Sequence, residues 1–298
     1  MKARFWMAVI TIAALFSAPL SFAADEELGI FEMIHVSTVS FDETAAALDE
    51  ALAQSPLTLH ASHDVRVPGD LHKARVYVLT SPAYADAAKN ESPNTISAQV
   101  LRMAVYTSGD EQTTYINMAN PVAHAMVFYA DSSDYDNLLA AARSTAGEMR
   151  EVAASVPGEA VSQQLEPIRT EKHYNKYKGD GPARMMAKFR TFEKSQMELL
   201  EDSADNFDAV VESVKKALEG SSVSDAEDTT GWETVAVIRL RDDAVYIGVT
   251  NPYIEDRMVR INSRFRADGK SEKSPYPGVD HVSAVPTDIL VVRDGNST

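Results

Sequence analysis

Three histidines lie close together in the sequence, at His60, His63 and His72. Imidazole nitrogens are common ligands of transition metals, and the turn sequence Pro68-Gly69 could fold His72 back towards the other two. If residues 57–67 form a strand, however, His60 and His63 point to opposite faces of the sheet, which argues against simple chelation. A zinc or copper site also needs three or four convergent ligands. Two interpretations stay open: a transition-metal site at these histidines, or histidines that hydrogen-bond at the surface.

Other kinds of catalytic site find little support in the sequence. The chain has no cysteine, which excludes a thiol nucleophile, thiolate metal ligands and disulfides. It has no Gly-x-Ser-x-Gly motif, and Gly179-Asp180-Gly181 lacks the following lysine and threonine of a phosphate-binding loop. Acidic pairs such as Asp242-Asp243 suit turns and helix starts better than an acid/base pair. The sequence therefore favours binding over catalysis.

Two strand-to-helix corners have similar sequences, YINMANP from Tyr115 to Pro121 and YIGVTNP from Tyr246 to Pro252. In each corner a β-prone run ends at an asparagine, Asn120 or Asn251, which can cap a helix. Proline follows, and its fixed φ and missing N–H suit the first helical position. The identical internal spacing predicts a duplicated module.

Four residues of these corners are candidate ligand contacts, together with His63. Asn120 and Asn251 either cap their helices or hold a ligand at a corner of each sheet. Tyr115 and Tyr246 either pack in the core, as aromatic residues on pleated surfaces often do, or line a groove between the two modules.

Hydrophobic periodicity predicts an α+β fold made of two tandem sheet-plus-helix modules. We predict a first domain over residues 24–155, a linker over 156–190 and a second, degenerate repeat over 191–298. Helices predicted from Phe41 to Leu52 and from Phe207 to Leu218 have similarly spaced apolar positions, and a predicted hairpin leads into each corner.

The second copy is shorter than the first. From Phe41 to Tyr115 is 74 positions, whereas from Phe207 to Tyr246 is 39, so the second copy lacks 35 residues there. The missing piece corresponds to the region from Leu57 to Pro93. We expect a late strand at residues 288–293 to fill the vacant place in the second sheet.

Residues 1–23 have a basic start, an apolar core and small residues before Ala24, which predicts a cleaved secretory signal peptide. Without it, 26 of the 28 basic residues and all 44 acidic residues remain, a net charge of −18. Such a surface repels nucleic acid and anionic lipid. We therefore expect a soluble protein of the bacterial periplasm that does not insert into the membrane after cleavage. Its expected partners are a small ligand or another periplasmic protein.

Residues 30–130 resemble a small bacterial α+β domain, domain-of-unknown-function family 302, and residues 190–294 resemble it more weakly. The resembling pieces occur in the family's order: a leading strand, the helix from Phe41, His63 in the next strand, the segment Val76 to Pro82, and the hairpin with its corner. Two departures are Leu71-His72, near the place of the family's Arg-Pro, and Ser81, in place of the usual asparagine.

The resemblance implies a fold, and it implies a role for His63, because the family has a histidine at this position. The resemblance implies no particular reaction. We therefore expect a non-enzymatic periplasmic binding or accessory protein of unknown ligand. The alternative is a small-molecule enzyme or metal-binding protein with a site centred on His63.

Overall fold

The computed structural model describes residues 26–67, 73–93, 95–108, 113–176, 206–224, 229–259 and 279–293. The predicted signal peptide, His72 and most of the second half of the predicted linker lie outside the described residues. Within them the chain has helices and antiparallel sheets, so the α+β prediction is confirmed. No helix among these residues is long and apolar enough to span a membrane.

Six strands form the first sheet, and every pairing in it is antiparallel. Their bounds are β1 (Glu27–Ser37), β2 (Thr58–Asp64), β3 (Ala74–Thr80), β4 (Leu101–Ser108), β5 (Thr113–Ala119) and β6 (Gly158–Thr170). The order across the sheet is β2-β3-β4-β5-β1-β6, which makes β2 and β6 its edges.

Helices cover one face of this sheet, which we call the inner face. They are α1 (Phe41–Ala53), α2 (Pro82–Ala87), α3 (Pro121–Phe128), α4 (Tyr135–Ala154) and α5 (Glu171–Lys176), with a short 3-10 helix at Ile96–Gln99. The Ser40 hydroxyl accepts a hydrogen bond from the Glu43 N–H, and the Glu43 carboxylate accepts one from the Ser40 N–H, so the predicted capping box starts α1. Leu48 of this helix packs in the same fully buried core as Met103 and Met118 of the sheet.

The second unit contains a three-stranded sheet and its own helices. Its elements are α6 (Phe207–Glu219), β7 (Ser222–Ser224), β8 (Thr229–Gly231), β9 (Glu233–Arg241), β10 (Ala244–Thr250), α7 (Pro252–Val259), a 3-10 helix at Val279–Ala284 and β11 (Thr287–Val292). The strand order is β11-β10-β9. The apolar side of α6 covers one face of this sheet, where Phe207 and Val211 pack with Val245 and Ile247.

The other face of the second sheet packs on the outer face of the first, opposite the helices. Direct cross-strand partners share a face, so the pairs His63–Val76 and Val78–Arg102 define this outer face. Val78 forms an apolar cluster with Tyr246 and other residues of the second sheet. Val76 packs with residues of the 3-10 helix Val279–Ala284 and its C-terminal flank. Side chains of the first outer face therefore meet side chains of the second unit.

The structure differs from the predicted linker, because residues 158–176 form β6 and α5. β6 pairs with β1 from Gly158 to Thr170, so the first unit extends well beyond residue 155. The N-terminal half of β6 is largely exposed at the sheet edge and contains small, polar and acidic residues. Such an edge strand has no buried face there to produce an alternating apolar pattern.

β11 also lies in a different place from the predicted one. The region absent from the second copy contains β3, which pairs with β4, the first strand of its hairpin. β11 instead pairs with β10, the second strand of its hairpin. In the first sheet β1 lies next to β5, on the side away from β4. In the second sheet β11 lies next to β10, on the side away from β9. The strand orders β4-β5-β1 and β9-β10-β11 therefore correspond. The internal repeat itself stays a prediction.

Candidate functional site

His63 and Glu255 form a pair that joins the two units. His63 lies on the edge strand β2, and Glu255 lies in the first turn of α7. The His63 Nε2 to Glu255 Oε1 distance is 2.6 Å, although the residues are 192 positions apart. A charge-assisted hydrogen bond of this length is among the stronger polar contacts in proteins.

The second corner positions the Glu255 carboxylate. Asn251 caps α7 by accepting a hydrogen bond from the Tyr253 N–H at 2.9 Å, and its own carbonyl accepts from the Glu255 N–H. Thr250, the last residue of β10, donates its hydroxyl to Glu255 Oε1 at 2.5 Å. The Arg66 N–H donates to Glu255 Oε2 at 2.8 Å. Together with His63, these two donors hold the carboxylate of a residue that is only 2% exposed.

The electrostatics of the pair favour the charged forms of both groups. The hydrogen bond to Glu255 raises the pKa of His63, outweighing burial, and the negative charges of Glu233 and Asp64 act in the same direction. Burial raises the pKa of Glu255, but the hydrogen bonds from His63, Thr250 and Arg66 outweigh it, so the pKa lies below its ordinary value. The hydrogen bond therefore stabilises the protonated form of His63 and the ionised form of Glu255.

The other ring nitrogen of His63 remains available. Nδ1 has no hydrogen-bond partner among the described residues, and the His63 side chain is 19% exposed. A buried carboxylate that bonds to one imidazole nitrogen fixes the orientation of the ring, so the other nitrogen is aimed at a possible ligand. The arrangement can bind a ligand group or exchange a proton at Nδ1.

The structure does not bring His60 and His63 together. His60 Nε2 lies 2.9 Å from the Thr80 hydroxyl, on the exposed side of the edge strand. The register of β2 shifts between Leu59 and Ala61, so His60 has no cross-strand partner. Among the described residues no group of three or more histidine, aspartate and glutamate side chains is placed to hold a metal ion. His72 lies outside these residues.

Each of the four candidate residues in the two corners contacts other residues of the protein. Asn120 caps α3 by accepting from the Val122 N–H at 3.0 Å, as Asn251 does for α7. Asn251 also donates to the carbonyls of Thr230 and Gly231, so it is saturated by the protein. Tyr115 is partly exposed and stacks on Tyr106, with 5.5 Å between ring centroids. Tyr246 is fully buried.

Sequence reasoning selected His63 as a candidate but missed Glu255, the residue that contacts it. Glu255 stands four residues after the corner asparagine, where the first turn of a capped helix faces the preceding strand. That spacing is the signal that could have identified it. Arg102 and Asp288, which form a second ion pair between the units, carried no recognisable motif.

No protein-family model matches the chain, and no curated protein matches it. Among solved structures, the chain is similar to the crystal structure of uncharacterized conserved protein DUF302 from Bacillus stearothermophilus, with 19% sequence identity and a TM-score of 0.33. The similarity covers 42% of this chain and 94% of that chain. That protein is described as a member of the family that residues 30–130 resemble, and it is itself uncharacterized.

Proposed function

We propose that this chain is an exported, non-enzymatic binding or accessory protein of the periplasm, with His63 as its ligand contact. One observation carries the proposal: Glu255 holds His63 Nε2 at 2.6 Å, while Nδ1 has no partner among the described residues. An imidazole oriented in this way offers a directional hydrogen bond to a small ligand. Nδ1–H donates to an acceptor of the ligand when the ring is protonated, and the raised pKa of His63 extends the pH range over which it is protonated.

Two features favour binding over catalysis. The orienting carboxylate belongs to the second unit, so the His63 site is complete only when the two units are docked, as in proteins that bind ligands between domains. The sequence also lacks the thiol and the Gly-x-Ser-x-Gly nucleophile that a base such as His63 would activate. The strongly acidic surface supports a small molecule or a periplasmic protein as partner, not nucleic acid.

The proposal is tested by native mass spectrometry of the protein purified from the periplasm of an exporting bacterium. The wild type and the His60→Gln variant should carry the same adduct mass, whereas His63→Gln should lose it. His60 is the matched control because it lies on the same strand and its ring bonds, among the described residues, only to Thr80. Retention of the adduct by His63→Gln, or its absence from all three proteins, would contradict the proposal.

The same dyad supports a second candidate function, a small-molecule enzyme in which His63 is the general base. The observation that favours it is the carboxylate–imidazole geometry itself, which orients bases in many active sites. A binding protein releases its adduct chemically unchanged after mild denaturation. An enzyme releases a molecule that the native wild type converts and that His63→Gln does not. Metal analysis of the same samples tests the remaining alternative, a transition metal held at His63.

Export and duplication belong to the same proposal. The basic start and apolar core of residues 1–23 support a cleaved signal peptide. The corresponding corners and the matching orders β4-β5-β1 and β9-β10-β11 support descent of both units from one module.

A further inference from the structure

Two edge strands meet at one rim of the molecule. They are β2, an edge of the first sheet, and β9, an edge of the second. The two strands contact each other, and Ala61 of β2 packs against the apolar cluster that contains Ala236 and Ile238 of β9. Among the described residues, the exposed large hydrophobic side chains are Leu59 on β2, at 40%, and Val237 on β9, at 45%. Both therefore lie at this rim.

The outer edge of β9 is open within the part of the chain that the structure describes. β9 pairs with β10 on one side, and no described strand pairs with it on the other. In the first sheet, β4 holds the corresponding place in the strand order, and β3 pairs with its other side. The middle of β9, Thr234 to Ile238, contains no charged residue and no proline. Natural edge strands usually carry such residues to prevent pairing, so this edge is suited to a partner strand.

The sequence of β9 is complementary to itself in the antiparallel direction. A two-fold axis at Val237 places Val237 opposite Val237 of a second copy, and Ala236 opposite Ile238 of that copy. The same register brings Glu233, at one end of the strand, towards Arg241, at the other end. Directly opposed apolar residues and opposite charges stabilise antiparallel pairs. Because the axis repeats each contact, both ends of the paired strands gain an opposite-charge contact.

The two end charges are in different states in the single chain. Arg241 is held in place by the Asp243 carboxylate and by the carbonyl groups of Lys89 and Glu91. Glu233 is exposed, and it has no hydrogen bond or ion pair to another described side chain. A second copy would bring a positioned guanidinium towards this unpaired carboxylate.

The acidic charge of the chain does not prevent this pairing. The chain without residues 1–23 has a net charge of −18, which repels a second copy at long range. At physiological ionic strength, repulsion between exposed charges is largely screened beyond about 8 Å. The uncharged middle of β9 adds no like charges at the contact itself.

We propose that the mature chain forms a symmetric dimer in which β9 pairs antiparallel with β9 of a second copy, about a two-fold axis at Val237. The pairing joins two three-stranded sheets into one sheet of six strands. It covers Val237 and brings Leu59 of the neighbouring strand close to the contact. The dimer does not depend on a ligand at His63.

Sedimentation equilibrium of the full mature chain in about 0.15 M salt tests the association. The wild type should approach twice the mass of the chain as its concentration rises. Val237→Lys should associate at least about tenfold more weakly, because the two-fold axis places the two lysines directly opposite each other. Ala160→Lys is the matched control, since Ala160 is an exposed residue on β6, the far edge of the first sheet. It should associate as the wild type does.

A cysteine at the axis tests the register. The chain has no cysteine of its own, so Val237→Cys introduces one thiol per copy. Directly opposed residues of antiparallel strands are close enough for a disulfide. Mild oxidation should therefore link Val237→Cys into a covalent dimer much faster than Ala160→Cys.

Three results would overturn the proposal. The first is a wild type that stays monomeric over the whole concentration series. The second is unchanged association of Val237→Lys, which would place the contact on another surface. The third is cross-linking of Val237→Cys no faster than that of Ala160→Cys, a comparison that decides even if Val237→Lys fails to fold. His63→Gln should associate as the wild type does, so the result can be interpreted even if the proposed ligand contact is wrong.

Discussion

Replacing His63 by glutamine should lower the free energy of unfolding by about 2 kcal/mol near pH 5.5. A hydrogen bond to a charged group contributes about 1.5–3 kcal/mol, and the 19% exposure of His63 places this one below the top of that range. Glu255 keeps its donors Thr250 and Arg66, so the loss stays below the roughly 3–5 kcal/mol of breaking a fully buried pair. The corresponding fall in Tm is about 4–8 °C.

The size of this effect should depend on pH, with a sign that follows from the two pKa shifts. The raised pKa of His63 contributes stability that is complete below its unfolded value of 6.5 and is lost as the pH rises through the folded value. The lowered pKa of Glu255 contributes stability that is complete above 4.5 and is lost as the pH falls through the folded value. The difference between wild type and His63→Gln should therefore be largest between these values and smaller at pH 8.5.

Urea denaturation at pH 5.5, 7 and 8.5 measures this difference directly. His60→Gln is the control and should cost less than about 0.5 kcal/mol, because the His60 ring is exposed and bonds only to Thr80 within the part of the chain that the structure describes. A double-mutant cycle with Glu255→Gln isolates the coupling between the two side chains. The reasoning is refuted if His63→Gln and His60→Gln are equally stable at pH 5.5, or if the coupling is the same at pH 8.5.

Three further predictions concern other parts of the chain. Gly248→Ala should destabilise by about 1–3 kcal/mol in urea, because its Cβ would overlap the Pro286 ring, whereas Gly231→Ala, with nothing within 4 Å, should change stability by less than about 0.5 kcal/mol. Ser40→Ala should cost about 1 kcal/mol through loss of the capping box, and Ser40→Asp should recover most of it; equal melting of all three proteins would argue against the cap. Intact mass of the periplasmic protein should show a chain that begins at Ala24, and a form that retains residues 1–23 would count against export by a cleaved signal.

Local elements were predictable because neighbouring residues determine them. The segment Ala74–Thr80 is a strand whose apolar, β-prone residues are followed at once by Ser81-Pro82, so both its type and its end can be read from neighbouring residues. The capping box of α1 and the caps at Asn120 and Asn251 depend on contacts within three positions. Elements without such signals were missed, as β6 was, because its pairing with β1 joins residues more than 120 positions apart.

The sequence by itself determined the α+β class and the two corners, and the family resemblance made His63 a candidate. These features follow from side-chain periodicity, capping chemistry and one histidine position shared with the family. Each of these signals depends on residues that are close together in the sequence. Only the tertiary structure decided which residue His63 contacts, because Glu255 reaches it across 192 positions through the docking of one sheet on another. The same docking buries Arg102 against Asp288. A contact between distant segments depends on packing over the whole interface, and no local pattern of residues encodes it.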